Sequence, residues 1–217
     1  MDLLAIFLKG GFLMWPILLL SIIGFAVAID RYIVIRKAKI NAPSFLIKIR
    51  GLLRKKDVSG AVAYCMEERS PAANIVRKAL KKHKLGHERV KEAIENAGKQ
   101  EIVKLEKGLS ILATVSGVAP LLGFLGTVTG MISAFMRIED LQGAANPSDL
   151  AGGIWEALIT TAFGLGVGIL ATMFYNYFLG AVTKLVHDME VISTDVLDTL
   201  QEVTSGAKDD DDLEIEL

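Results

Sequence analysis

Three stretches of this chain carry almost no charge over lengths that match the hydrocarbon core of a bilayer, and they constrain the fold more than any other feature. Gly10 to Ile29 and Gly108 to Met136 hold no charged side chain, and Leu150 to Thr183 holds one, Glu156. A helix needs roughly 20 residues to cross ~30 Å of hydrocarbon. With 52% hydrophobic residues in 217 and a mean hydropathy of +0.43, the chain is too apolar for an ordinary soluble domain. The expected fold class is all-α: an integral membrane protein with three spanning helices and long helical extensions outside the membrane.

Charge is partitioned along the chain. Between Arg36 and Lys107 lie 19 of the 24 Lys and Arg against 8 Asp and Glu, a balance of +11; from Lys184 onward there are 11 acids and 2 Lys. Asp2 and Lys9 precede the first stretch while Arg31, Arg36, Lys37 and Lys39 follow it, the reverse of a secretory leader. Basic flanks mark the cytoplasmic side, which predicts an outer N-terminus and an inner C-terminus. The expected layout is an outer N-terminus with the first span over 1–35, a basic cytoplasmic helical segment over 36–107 and the second span over 108–136. A short outer loop over 137–149, the third span over 150–183, a cytoplasmic helical extension over 184–204 and an acidic tail over 205–217 complete it.

Within the basic segment the patterning predicts helices over 44–53, 58–68, 70–85 and 88–109. The last is amphipathic and is expected to continue straight into the second span. Arg77, Lys78, Lys81 and Lys82 suit anionic lipid head groups, and equally suit a solvated helix face. Without interleaved aromatics the run does not point to nucleic acid. The lone Cys65 reads as a small buried apolar residue in a reducing compartment. His83, His87 and His187 form no ligand cluster, and the glycines from Gly123 to Gly130 lack the Lys of a phosphate loop, so neither a cofactor, a metal nor an enzyme activity is expected.

The second and third apolar stretches carry small and hydroxyl residues three and four apart: Ser116, Pro120, Gly123, Thr127, Gly130 and Ala134, then Ala157, Thr161, Gly164, Gly168 and Ala171. Such faces let helices approach closely, and they can also line a polar path. Glu156 is costly in hydrocarbon unless it faces protein or water, which makes it the candidate proton-handling group, with Thr160, Thr161 and Thr127 as its polar company. The 27 uncharged residues that follow it equally allow a place at the outer head groups. Pro120 removes a helix hydrogen bond and predicts a kink.

The order Ala119-Pro120-Leu121-Leu122-Gly123-Phe124-Leu125-Gly126-Thr127-Val128-Thr129-Gly130-Met131, followed by Gly153-Ile154-Trp155-Glu156-Ala157-Leu158-Ile159-Thr160-Thr161-Ala162-Phe163-Gly164-Leu165, closely resembles the MotA/TolQ/ExbB proton-channel family. Three spans resemble its ExbB/TolQ branch. The resemblance implies a homo-pentamer in a bacterial inner membrane around a dimer of single-span ExbD/TolR-like subunits, each bringing a membrane aspartate. It further implies a TonB- or TolA-like protein as the driven partner, a pore lined by the second and third spans, and Glu156, Thr127 and Thr161 as pore residues. Pro120 and Gly123 match structural positions of the family, and Gly126, Gly130, Gly164 and Gly168 are expected to serve helix packing.

Overall fold

A computed structural model describes residues 3–144 and 146–215, with side chains from 5 to 144 and from 146 to 203. Among the described residues every regular element is helical. In chain order they are α1 (Leu3–Lys9), α2 (Met14–Ala38), α3 (Ala42–Arg54), α4 (Val58–Glu68), α5 (Pro71–Leu80), a single 3₁₀ turn (His83–Leu85), α6 (His87–Glu106), α7 (Leu109–Asp140) and α8 (Pro147–Ile215). Three runs are long and apolar enough to cross a membrane: α2, the stretch containing α7, and α8. The residues fall into two compact units, 3–32 with 108–179, and 33–107 with 180–215.

In the first unit α1 stops at Gly10 and Gly11, the latter at φ +68°, a conformation that L side chains resist. Pro16 sits in the first turn of α2, where its missing N–H costs no helix hydrogen bond. Leu112, Val115, Ala119, Gly123, Gly126, Gly130 and Ala134 form the buried stripe of α7, the three- and four-residue spacing of one helix face. Phe25 of α2 meets Phe174 of α8 edge-on at 5.9 Å. Large apolar side chains on the opposite faces, such as Phe124 and Leu158, are exposed.

The second unit is a helical cluster whose ends are well capped. Asn41 Oδ1 accepts from the Ser44 amide at 3.2 Å, Asp57 Oδ1 from Gly60 at 2.8 Å, and Ser70 Oγ from Ala73 at 3.2 Å. Each satisfies an amide that the first turn leaves without an acceptor. Phe45, Ile49 and Leu53 of α3, Ile75, Val76 and Leu80 of α5, and Ile192 and Val196 of α8 are buried. Burying a side chain such as Phe45 stabilises by about 2–3 kcal/mol. Arg50 of α3 makes a two-pronged ion pair with Asp195 of α8, which holds the guanidinium above its ordinary pKa, through the hydrogen bond first and the charge second.

The expected helices at 44–53 and 58–68 agree with α3 and α4 to within two residues. Four boundaries differ. The helix expected over 70–85 stops at Leu80, and a separate 3₁₀ turn follows at His83–Leu85. α6 does not run straight into the second span: it stops at Glu106, and Gly108 turns at φ +86° before α7 begins. The connection after α7 is also shorter than 137–149, because Arg137 to Asp140 remain helical, Gln142 and Gly143 turn at positive φ, and Pro147 opens α8. The backbone of α8 continues through Ser205 and Gly206, where the acidic tail was expected to begin. The tail's side chains lie outside the described residues.

Candidate functional site

The α7–α8 contact is made largely by backbone. A methyl placed on Gly130 lies 2.6 Å from the Gly153 carbonyl oxygen, one on Gly153 lies 2.5 Å from the Gly130 oxygen, and one on Gly164 lies 2.6 Å from that of Ala119. Gly126 leaves space that the Thr160 side chain fills, and Gly168 makes room for the Pro120 ring. All of the glycines expected to serve packing therefore lie in one seam. Gly153 joins them, although only the motif order and no spacing rule singled it out. Such close approach maximises dispersion contact where no hydrophobic drive separates helix from lipid.

Two of the expected pore threonines belong to this seam. Thr161 Oγ1 donates to the Gly123 carbonyl of α7 and to Ala157, 3.0 Å from each. Thr160 is fully buried and donates to the Glu156 carbonyl at 2.8 Å and to Ala157 at 3.1 Å. Thr127 is half-buried and donates at 2.6 Å to Phe124 of its own helix.

Glu156 points elsewhere. It is half-buried, and its carboxylate packs on Gly11 in the α1–α2 turn, so that any side chain at Gly11 collides with it. Gly10 packs on Met14 and Ile159, and the Lys9 ammonium lies 6.0 Å from the Trp155 ring. Within one chain the structure therefore does not gather Glu156, Thr127, Thr160 and Thr161 into one cluster. Five residues along a helix turn a side chain by about 140°, which sends Glu156 toward the α1–α2 turn while Thr161 faces α7. The glycine pair at 10–11 was missed from sequence because nothing in the order of residues connects it to a glutamate 145 positions away.

Depth follows from the same contacts. Ala157 packs against Gly130, which is ~33 Å along α7 from Gly108 and ~10 Å from Arg137 at ~1.5 Å per residue. Glu156 thus lies toward the Arg137 end of the α7 apolar run, level with the beginning of α2. A carboxylate placed there rests its flank on protein and is half-exposed.

The basic run divides into a paired half and an exposed half. Arg77 donates to Asn74 Oδ1 at 2.7 Å, Lys78 donates to Gln100 at 2.7 Å, and Lys81 and Lys82 are exposed beyond the end of α5. The buried Cys65 thiol is pushed up to about 12 by burial, against an opposing pull from Arg77.

Residues 67–191 match the MotA/TolQ/ExbB proton channel family. The ExbB homolog of Methanothermobacter thermautotrophicus is 30% identical over 190 residues, 87% of this chain and 67% of that protein. The biopolymer transport protein ExbB-like 1 of Synechocystis is 33% identical over 180 residues, 78% of this chain and 68% of its own. The biopolymer transport protein ExbB of Xanthomonas campestris pv. campestris is 37% identical over 109 residues, 50% of this chain and 43% of its own. The structure of C. jejuni MotAB shares the fold, with a TM-score of 0.63 at 19% identity over 82% of this chain and 69% of the matched one. With three apolar helices of spanning length and a family match over more than half its residues, this chain is a multi-pass membrane protein of the MotA/TolQ/ExbB proton channel family, ExbB-like.

Proposed function

We propose that the chain is a non-enzymatic inner-membrane subunit that converts proton motive force into mechanical work, in the manner implied for the ExbB/TolQ branch. The observation that carries this reading is the single carboxylate of the apolar spans, Glu156, placed against the Gly11 turn beside a close-packed α7–α8 pair. In this reading the chain lies N-out and C-in, and five copies surround a dimer of single-span ExbD/TolR-like subunits. The partner's membrane aspartate takes and releases the proton, and Glu156 belongs to the polar lining that this chain supplies at the outer mouth. Thr127 and Thr161 supply polar contacts along the way, and the α7–α8 pair forms the wall. One charge falling through 100 mV yields about 2.3 kcal/mol, so a few protons suffice to turn one subunit set against the other. The driven partner is a TonB-like protein serving outer-membrane transport. The TolQ-like reading, in which a TolA-like protein serves envelope maintenance, uses the same chemistry and differs in that partner.

The test is proton-driven activity of the assembled complex with Glu156→Gln and Thr127→Ala, after native mass spectrometry has shown unchanged assembly. Loss of activity with intact assembly supports the proton path. Full activity of Glu156→Gln moves a non-conducting scaffold ahead.

A further inference from the structure

A cleft in the unit of residues 33–107 and 180–215 has no part in the proton reading. It is an open cleft of about 470 Å³ between the α4–α5 junction and α6, with Arg69 exposed at its rim. Arg69, Ser70, Asn74, Arg77, Glu101 and Lys104 give it its polar lining. Three cations thus face one carboxylate, and that carboxylate is already engaged: Glu101 is buried and accepts from Asn74 Nδ2 at 2.5 Å and from Lys104 Nζ at 2.8 Å.

The two arginines keep donors to spare. Arg77 commits one N–H to Asn74 of the five a guanidinium carries. Arg69 sits at the end of α4 at φ 49°, and among the described residues it makes no hydrogen bond or ion pair. The N-terminal end of α5, marked by Ser70 and Pro71, adds the positive end of a helix to the same wall. A cleft with a surplus of two positive charges and two guanidinium forks in its lining matches the charge and the donor set that a phosphate group calls for.

We propose that this cleft binds a phosphate-bearing anion, with Arg69 and Arg77 as its ligands and the Glu101–Lys104 pair as its floor. The phosphate belongs either to a soluble molecule or to an anionic lipid head group, and both present the same oxygens. The site is independent of the proton path.

The test uses the full chain in zwitterionic detergent, with affinity read from the melting temperature at constant ionic strength. One arm titrates inorganic phosphate against chloride; the other adds phosphatidylglycerol against phosphatidylcholine. Arg69→Asn removes a charge while keeping a residue that tolerates the left-handed backbone, so it reads the site even where Arg77→Gln unfolds. Each substitution is expected to weaken binding about tenfold, the loss of roughly one charge-assisted contact. Glu101→Gln is expected to tighten it, and Lys81→Gln with Lys82→Gln to change it less than twofold. Saturation by phosphate identifies a soluble ligand, and saturation by phosphatidylglycerol alone identifies the head group. The proposal is overturned by binding in neither arm, by Arg69→Asn binding as wild type, by Lys81→Gln and Lys82→Gln costing as much as the arginine changes, or by Glu101→Gln binding no tighter.

Discussion

Replacing Gly164 with Ala tests the α7–α8 seam most directly, because the structure supplies its own control. The new methyl lies 2.6 Å from the Ala119 oxygen and 2.8 Å from Gly123 Cα, whereas ordinary contact begins at 3.4 Å. The obstructing atoms are backbone, so the helices must part by about 0.8 Å locally or bend. Overpacking of this kind costs about 1–3 kcal/mol. Gly166, half a turn away on the same helix, has nothing within 4 Å of an added methyl. Both changes gain the same helix propensity, about 0.5–1 kcal/mol, so the propensity cancels in their difference and the steric cost remains. At about 2–4 °C per kcal/mol for a chain of this size, Gly164→Ala should melt about 2–12 °C below Gly166→Ala. The assay is thermal unfolding of both variants in detergent micelles without a partner, followed by circular dichroism. Gly117→Ala, equally open on α7, serves as a second control. Melting of Gly164→Ala within a degree of both controls would refute the backbone-to-backbone seam.

Gly11→Ala should displace the Glu156 carboxylate and strain a backbone at φ +68°, lowering proton-driven activity while Gly51→Ala, which meets nothing, leaves it intact. Ser70→Ala removes the α5 cap and should destabilise the chain by about 1 kcal/mol, measurable as a lower denaturant midpoint. Cys65, with its thiol pushed up to about 12, should be alkylated at pH 8 far more slowly in the folded than in the unfolded chain. The sign of the linkage is that of an acid held neutral by folding: the contribution is intact below the unfolded value near 9 and is lost as pH rises toward 12. Asp195→Asn breaks the pair with Arg50, whose side chain is about half exposed, and should lower the melting temperature only slightly at low salt and less at high salt.

Much of this architecture is legible in the residues because the physics is local. Uncharged length fixes α2, α7 and α8, and Ser70-Pro71 and Asp57 announce their helices through caps that act within three residues. The break at Gly108 is less legible, since the amphipathic pattern of α6 and the apolar run of α7 leave no gap, and only Lys107 and Gly108, the latter at φ +86°, separate them. Glu156 is identifiable as a lone carboxylate, but its neighbour is not. Its contact with Gly11 depends on how α1 returns over the start of α2, a long-range outcome with no periodic signature. The same holds for the cleft at Glu101, where Asn74 becomes a partner of a distant helix only after α5 and α6 have packed.

The seam between α7 and α8 is built from side chains that are mostly absent, and glycine and alanine have no rotamers to exchange. A contact of this kind has no graded intermediates: it cannot loosen by repacking, as a leucine-rich interface does, and it is either closed or broken. Along that seam α7 and α8 should therefore behave as a single stave, and whatever moves during a working cycle must do so at contacts other than this one.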